Sequence, residues 1–99
     1  MLDMRLSDDL VLRCEALLDR VAATTIGPNA HALRVMLAEC DAMERAVTAP
    51  FAVCRVRDVR NWLRLAYGRT LHGYPSDQLR RNLMRALGEL LAATRKRGT

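Results

Sequence analysis

The sequence has few aromatic residues, only three cysteines and no long apolar run. Its longest segment without a charged side chain, residues 21–33, is interrupted by Gly27-Pro28 and is shorter than the ~20 apolar residues that cross a bilayer. The cysteines are odd in number and form no C-x-x-C pair, so we expect reduced thiols and no zinc site. Acidic residues within the first twenty positions do not fit a secretory signal, which predicts a cytoplasmic protein without a membrane partner.

Enzyme motifs are also missing. The chain contains no G-x-S-x-G, phosphate loop or H-E-x-x-H segment, and neither His31 nor His72 has a nucleophile or carboxylate nearby in sequence. The adjacent pair Asp8-Asp9 is typical of the first turn of a helix, where the helix dipole favours negative charge. We therefore predict a non-enzymatic protein that uses no cofactor and no metal.

The remaining pattern is helical. With 99 residues the chain fits one domain, and β-branched residues or strict alternation are scarce. Four amphipathic segments favour an all-α fold, built as two packed helical hairpins or a small bundle. We predict helices from Ser7 to Thr24, from Asn29 to Pro50, from Val56 to Gly68 and from Ser76 onward, with an apolar connector at Phe51–Cys54 and a loop at Thr70–Pro75.

Apolar residues recur on one face of each predicted helix at the spacing of a buried stripe. The lone tryptophan, Trp62, flanks the third stripe, and we interpret it as part of the core. The predicted core comprises Leu10, Cys14, Leu17, Leu18, Val21, Leu33, Met36, Leu37, Cys40, Met43, Val47, Val56, Val59, Leu63, Ala66, Leu79, Leu83, Leu87, Leu90 and Leu91.

Charge is distributed unevenly along the chain. Residues 1–50 hold five arginines and eight acids, a net charge of −3, whereas residues 51–99 hold ten arginines and one lysine against three acids, a net charge of +8. Clustered guanidinium groups attract phosphate and release its counterions, so this asymmetry indicates nucleic acid or an acidic surface as the partner.

The basic residues of the second half follow helical spacing. The candidate contact residues are Arg57, Arg60, Arg64, Arg80, Arg81, Arg85, Arg95, Lys96 and Arg97. We predict a small nucleic-acid-binding regulator of transcription that places these side chains on phosphates, with DNA favoured over RNA as the ligand. Two short hairpins offer more apolar surface than one small bundle covers, so we also predict a homodimer.

Two alternatives account for the same basic face. In the first, the protein is an inhibitor or adaptor of the kind that phages and mobile elements encode, and its basic face docks on an acidic protein. In the second, the basic face is occupied within the chain by carboxylates of the acidic half, namely Asp9, Asp19, Asp41 and Glu44.

The opening segment LDMRLSDDLVLRCEALL resembles the start of ribbon-helix-helix DNA-binding proteins. The resemblance covers the first forty-odd residues and implies a short strand from Leu2 to Leu6, with Arg5 directed at DNA. It also implies a phosphate-holding turn at residues 27–29. The segment between Ser7 and that turn is longer than is usual in the family. Apart from the resemblance, residues 2–6 form either a frayed first helical turn or an extended arm that packs on the bundle.

Overall fold

Four helices follow one another along the chain: α1 (Leu2–Ala23), α2 (Ala30–Ala46), α3 (Pro50–Tyr67) and α4 (Ser76–Arg97). This computed structural model describes the backbone of residues 2–47, 50–69 and 72–97, and the side chains of residues 9–47, 50–69 and 72–93. The described backbone contains no strand. The predicted all-α fold is therefore confirmed.

The helices pack in a ring in chain order. α1 and α3 each pack against α2 and α4, whereas within the described part of the chain the backbones of α1 and α3 stay apart, as do those of α2 and α4. Short connections make neighbouring helices antiparallel. The result is an elongated four-helix bundle, 43 Å long and 21 Å across.

The turn between α1 and α2 forms as the sequence predicts. Gly27 has a φ of 147°, a backbone conformation that side chains with a Cβ atom disfavour. Asn29 caps α2, because its side-chain oxygen accepts a hydrogen bond of 3.1 Å from the backbone N–H of Ala32. Gly27 thus shapes the turn that follows α1, and Asn29 begins the next helix.

The predicted start of α1 is wrong. The helix begins at Leu2, so Ser7 lies within it, and the short strand predicted for Leu2–Leu6 is absent from the described backbone. Leu2, Leu6 and Leu10 have the i, i+4, i+8 spacing of the α1 stripe, which continues the helix toward the N-terminus. Residues 2, 4 and 6 are also apolar and alternate with charged residues, as in a strand, but the helical periodicity prevails over this short alternation.

The predicted connector at Phe51–Cys54 is also wrong, because α3 already begins at Pro50. A proline suits the first position of a helix, where its fixed φ is favourable and its missing N–H needs no partner. The same residue lies beyond the end of α2, which finishes at Ala46. At the other end, α3 stops before Gly68 as predicted.

One core runs the length of the bundle. Of the predicted core residues, Leu18, Leu33, Leu37 and Leu91 are half-buried against it and the others are buried. Trp62 is also only half-buried. It packs against the core with part of its side chain, and the prediction of a core tryptophan is correct for that part. Tyr67, which was not among the predicted core residues, is 1% exposed and joins the core.

No helix in the described part of the chain has both the length and the apolar character needed to cross a membrane.

Candidate nucleic-acid interface

An arginine side chain bridges each pair of neighbouring helices. Such ion pairs contribute little to stability where they are exposed, but they determine which arginines remain available to a partner. The four bridges are Arg13 to Glu39 between α1 and α2 (3.1 Å), Arg60 to Glu44 between α2 and α3 (2.7 Å), Arg55 to Glu89 between α3 and α4 (3.2 Å), and Arg80 to the Ala22 carbonyl between α4 and α1 (3.4 Å).

Two of the predicted contact residues on α3 face carboxylates of α2. Arg60 donates from Nη2 to Asp41 Oδ1 at 2.5 Å and to Glu44 Oε2 at 2.7 Å, and its side chain is only 21% exposed. Arg57 is 3.5 Å from Glu44 through its Nε atom. These pairs match the alternative in which the acidic half occupies part of the basic face. Asp9 pairs instead with Arg13 in its own helix.

Arg80 is directed at the end of α1. Its guanidinium donates to the carbonyls of Val21 and Ala22 at 3.4 Å and of Thr24 at 3.5 Å. The last carbonyls of a helix have no partner within the helix and carry partial negative charge, so a cation there is favourable. Arg80 therefore has a structural role in joining α4 to α1, which helical spacing alone does not reveal.

Arg64, Arg81 and Arg85 are exposed and form no ion pair with any described side chain. They do not form one continuous row. Arg60, on the same side of α3 as Arg64, contacts α2, whereas Arg85 borders a cleft between α3 and α4. Arg57 and Arg60 consequently lie toward α2, whereas Arg85 lies toward the gap between α3 and α4.

The side chains of Arg5, Arg95, Lys96 and Arg97 lie outside the described ones. The backbone of α4 is nevertheless helical through Arg97. Arg85 lies four positions after Arg81, and the same helix continues to the basic terminus.

The cleft between α3 and α4 has a volume of about 300 Å³. Its walls combine an aromatic ring, an amide, a guanidinium and two carboxylates: Trp62, Asn82, Arg85, Asp58 and Glu89, with Ala86 at the side. Asn82 was not among the residues predicted from the sequence. Its position three residues before Arg85 on a basic helix face was the only available signal.

A second cleft, of about 370 Å³, lies at the end of the bundle beneath the loop between α3 and α4. Ile26, Ala66 and Leu79 supply its apolar wall, and His72 lies at its edge. Residues 70 and 71 of that loop are outside the described part of the chain. We therefore take the α3–α4 cleft, which adjoins the unpaired Arg85, as the candidate site.

The described cysteines and histidines do not gather into a reactive centre. Cys14 and Cys40 are fully buried, and this burial raises the pKa of the Cys14 thiol to about 11 and that of Cys40 to about 12. Both thiols are therefore protonated at neutral pH. No group of three metal-binding side chains occurs among the described residues.

The sequence matches no known family model, and neither a curated protein nor a solved structure shows significant similarity to it.

Proposed function

We propose that this protein is a small, non-enzymatic nucleic-acid-binding protein that contacts phosphates through the outer face of α4. The observation that carries the proposal is the pair of exposed arginines on that face, Arg81 and Arg85, neither of which pairs with a described carboxylate. They are separated by about 6 Å along the helix axis, since each residue adds about 1.5 Å. A guanidinium without an internal carboxylate partner is available for bidentate contact with a phosphate.

The neighbouring charges leave this face basic. Arg80 turns toward the α1 carbonyls, and Glu89, the acid next along the helix, forms its ion pair with Arg55 on α3. Neither residue neutralises Arg81 or Arg85. A homodimer, as expected from the sequence, would present two copies of this face to one nucleic acid, so that the second contact becomes intramolecular.

Fluorescence anisotropy of labelled oligonucleotides, measured over a range of salt concentrations, tests the proposal. Replacing Arg81 and Arg85 together with Gln removes two phosphate contacts, so the log–log salt slope should fall by about 1.4 on single strands and about 1.8 on duplex. The matched control replaces Arg20 and Arg34 with Gln, which removes the same charge from two exposed arginines on α1 and α2. The control should retain most of the wild-type slope.

Equal losses in the two double variants would show that net charge, and not the α4 face, determines binding. A polyglutamate peptide of matched charge should bind more weakly than the oligonucleotide. If it binds as tightly, the same arginines serve an acidic protein partner and the nucleic-acid proposal is wrong.

A further inference from the structure

The cleft between α3 and α4 combines features that recognise a flat heterocycle. Trp62 from α3 and Asn82 from α4 face the same space of about 300 Å³, with Arg85 beside them. The cleft therefore adjoins the arginine that we assign to phosphate. A nucleotide whose phosphate lies on Arg85 would have its base within reach of Trp62.

Trp62 is held in place from two sides. One part of the indole packs against the core, and the ring of Tyr74 meets it edge-on, with centroids 5.6 Å apart and planes at 71°. The rest of the half-buried indole borders the cleft. A fixed aromatic surface favours base stacking because little conformational freedom is lost on binding. Such stacking strengthens binding about tenfold or more per base in single-strand-binding proteins.

Polar groups in the cleft match the edge of a base. Asn82 forms no side-chain hydrogen bond with the described residues, and an amide can pair with both a donor and an acceptor of a nucleobase. Asp58 and Glu89 are held by Arg55 at 3.6 and 3.2 Å, and carboxylates accept from the exocyclic amino groups of bases.

The charge in the cleft is also suitable. Arg55 forms ion pairs with both Asp58 and Glu89, which partly offsets these carboxylates and leaves Arg85 as the one guanidinium among the described residues that lines the cleft. A neutral base fits there, whereas a phosphate fits the outer face at Arg81.

From this juxtaposition we propose that the α3–α4 cleft binds an unpaired nucleobase, which makes single-stranded nucleic acid the preferred partner. The inference rests on the proposed function and specifies its ligand. In a duplex the bases are stacked and paired, so the indole could not reach a base face.

Trp62 is the only tryptophan of the chain, so its fluorescence reports directly on the cleft. The protein is titrated with a short single-stranded oligodeoxynucleotide, with an abasic oligonucleotide of equal length and with the corresponding duplex. Stacking should quench Trp62 with the first probe only. The single strand should also bind about tenfold more tightly than the abasic strand, which presents the same phosphates without bases.

Two variants separate the base subsite from the phosphate contacts. Trp62→Leu keeps an apolar side chain against the core and should reduce single-strand affinity about tenfold, leaving abasic affinity unchanged. Because Trp62 also packs on the core, Asn82→Ala provides a second variant at a half-buried position, with an expected loss of about fivefold or more. Asn61→Ala is the matched control on the exposed side of α3 and should have no effect.

The outcomes distinguish the two proposals. If abasic and base-containing strands bind equally and Trp62 fluorescence stays constant, while Arg81 and Arg85 still matter, the base subsite is refuted and the phosphate-binding function stands. If no oligonucleotide binds at low salt, both proposals are refuted.

Discussion

The hydroxyl of Tyr67 donates a hydrogen bond of 3.2 Å to the backbone carbonyl of Thr24, across 43 residues of sequence. Thr24 directly follows α1, and Tyr67 is the last residue of α3. The contact therefore ties the exit of the first helix to the end of the third. It also explains why a tyrosine occupies a position that is 1% exposed, since a buried hydroxyl needs a partner.

Removing this hydroxyl should destabilise the bundle. We expect Tyr67→Phe to lower the free energy of unfolding by about 1 kcal/mol, the usual net contribution of one hydrogen bond. Tyr74→Phe is the matched control, because Tyr74 is exposed and its hydroxyl forms no hydrogen bond with the described residues. Urea unfolding followed by circular dichroism measures both values. Equal stability of the two variants would contradict a role for the Tyr67 hydroxyl.

The buried thiols should make the protein sensitive to alkaline pH. Burial raises the pKa of Cys14 from the ordinary 9.0 to about 11, so the folded chain binds this proton more tightly than the unfolded chain. The resulting stability is fully present below pH 9 and is lost as the pH rises toward about 11. Urea midpoints should fall over this range, and Cys14→Ala should reduce that fall.

Thiol labelling checks the same burial at neutral pH. In the folded protein iodoacetamide should modify Cys54, which is exposed, and leave Cys14 and Cys40 unmodified until the chain is unfolded. Mass spectrometry counts the added groups. Rapid labelling of all three cysteines in the native state would contradict the packing of α1 against α2.

Arg80 and Arg81 are adjacent on α4, but their substitution should affect stability and oligonucleotide affinity in opposite orders. Arg80→Ala removes the donor to the final carbonyls of α1 and should lower the free energy of unfolding by about 1 kcal/mol. Arg81→Ala removes an exposed side chain that has no partner among the described residues and should change stability by less than about 0.5 kcal/mol. Oligonucleotide affinity should show the reverse order, with the larger loss for Arg81→Ala.

Gly88 and Gly27 differ in whether their backbone conformation requires a glycine. A Cβ atom at Gly88 would meet nothing within 4 Å, and the residue lies inside α4. Gly88→Ala should therefore raise the free energy of unfolding by about 0.8 kcal/mol, the difference in helix propensity. Gly27→Ala should lower it, because a φ of 147° strains any residue with a Cβ. Thermal unfolding of both variants gives the comparison.

Freeing Arg57 should increase affinity for nucleic acid. Glu44 is the ion-pair partner of Arg57, whereas Arg60 also has Asp41. In Glu44→Gln the Arg57 guanidinium becomes available to a phosphate, which should steepen the log–log salt slope by about 0.7 on single strands. Anisotropy titrations of wild type and variant give the two slopes.

Paired double variants exclude a simple effect of net charge on this result. Adding Arg57→Gln to Glu44→Gln restores the wild-type charge and should abolish the gain. Adding Arg20→Gln restores the same charge but leaves Arg57 available, so the gain should persist. Identical affinities for the two double variants would show that Arg57 makes no contact.

The four helices and most of the core follow from periodicity, because every helix carries a continuous stripe on one face. Helix ends were harder to predict. Ser7 has the chemistry of an N-cap, but a capping residue inside an unbroken apolar stripe does not interrupt it, so α1 continues to Leu2. Pro50 is compatible both with a position beyond the end of one helix and with the start of another, and sequence alone does not decide between them.

The candidate site was less predictable because it depends on which helices are neighbours. The sequence shows that Arg57, Arg60 and Arg64 share a face and offers Asp41 and Glu44 among four candidate partners, but it does not decide whether these two lie opposite the arginines. The sequence likewise could not assign Arg80 and Arg81 to different roles. One 100° step around the helix directs the first toward α1 and leaves the second exposed.

The backbone of the α1–α2 turn is completed by residues much later in the chain. The N–H groups of Gly27 and Asn29 donate to the carbonyls of Ala66 and Tyr67, at 3.0 and 2.8 Å. During synthesis, the first two helices therefore emerge with these amides unpaired, and the pairing forms only after Tyr67 has left the ribosome. Translation must therefore pass the end of α3 before the turn of the first hairpin acquires these two native hydrogen bonds.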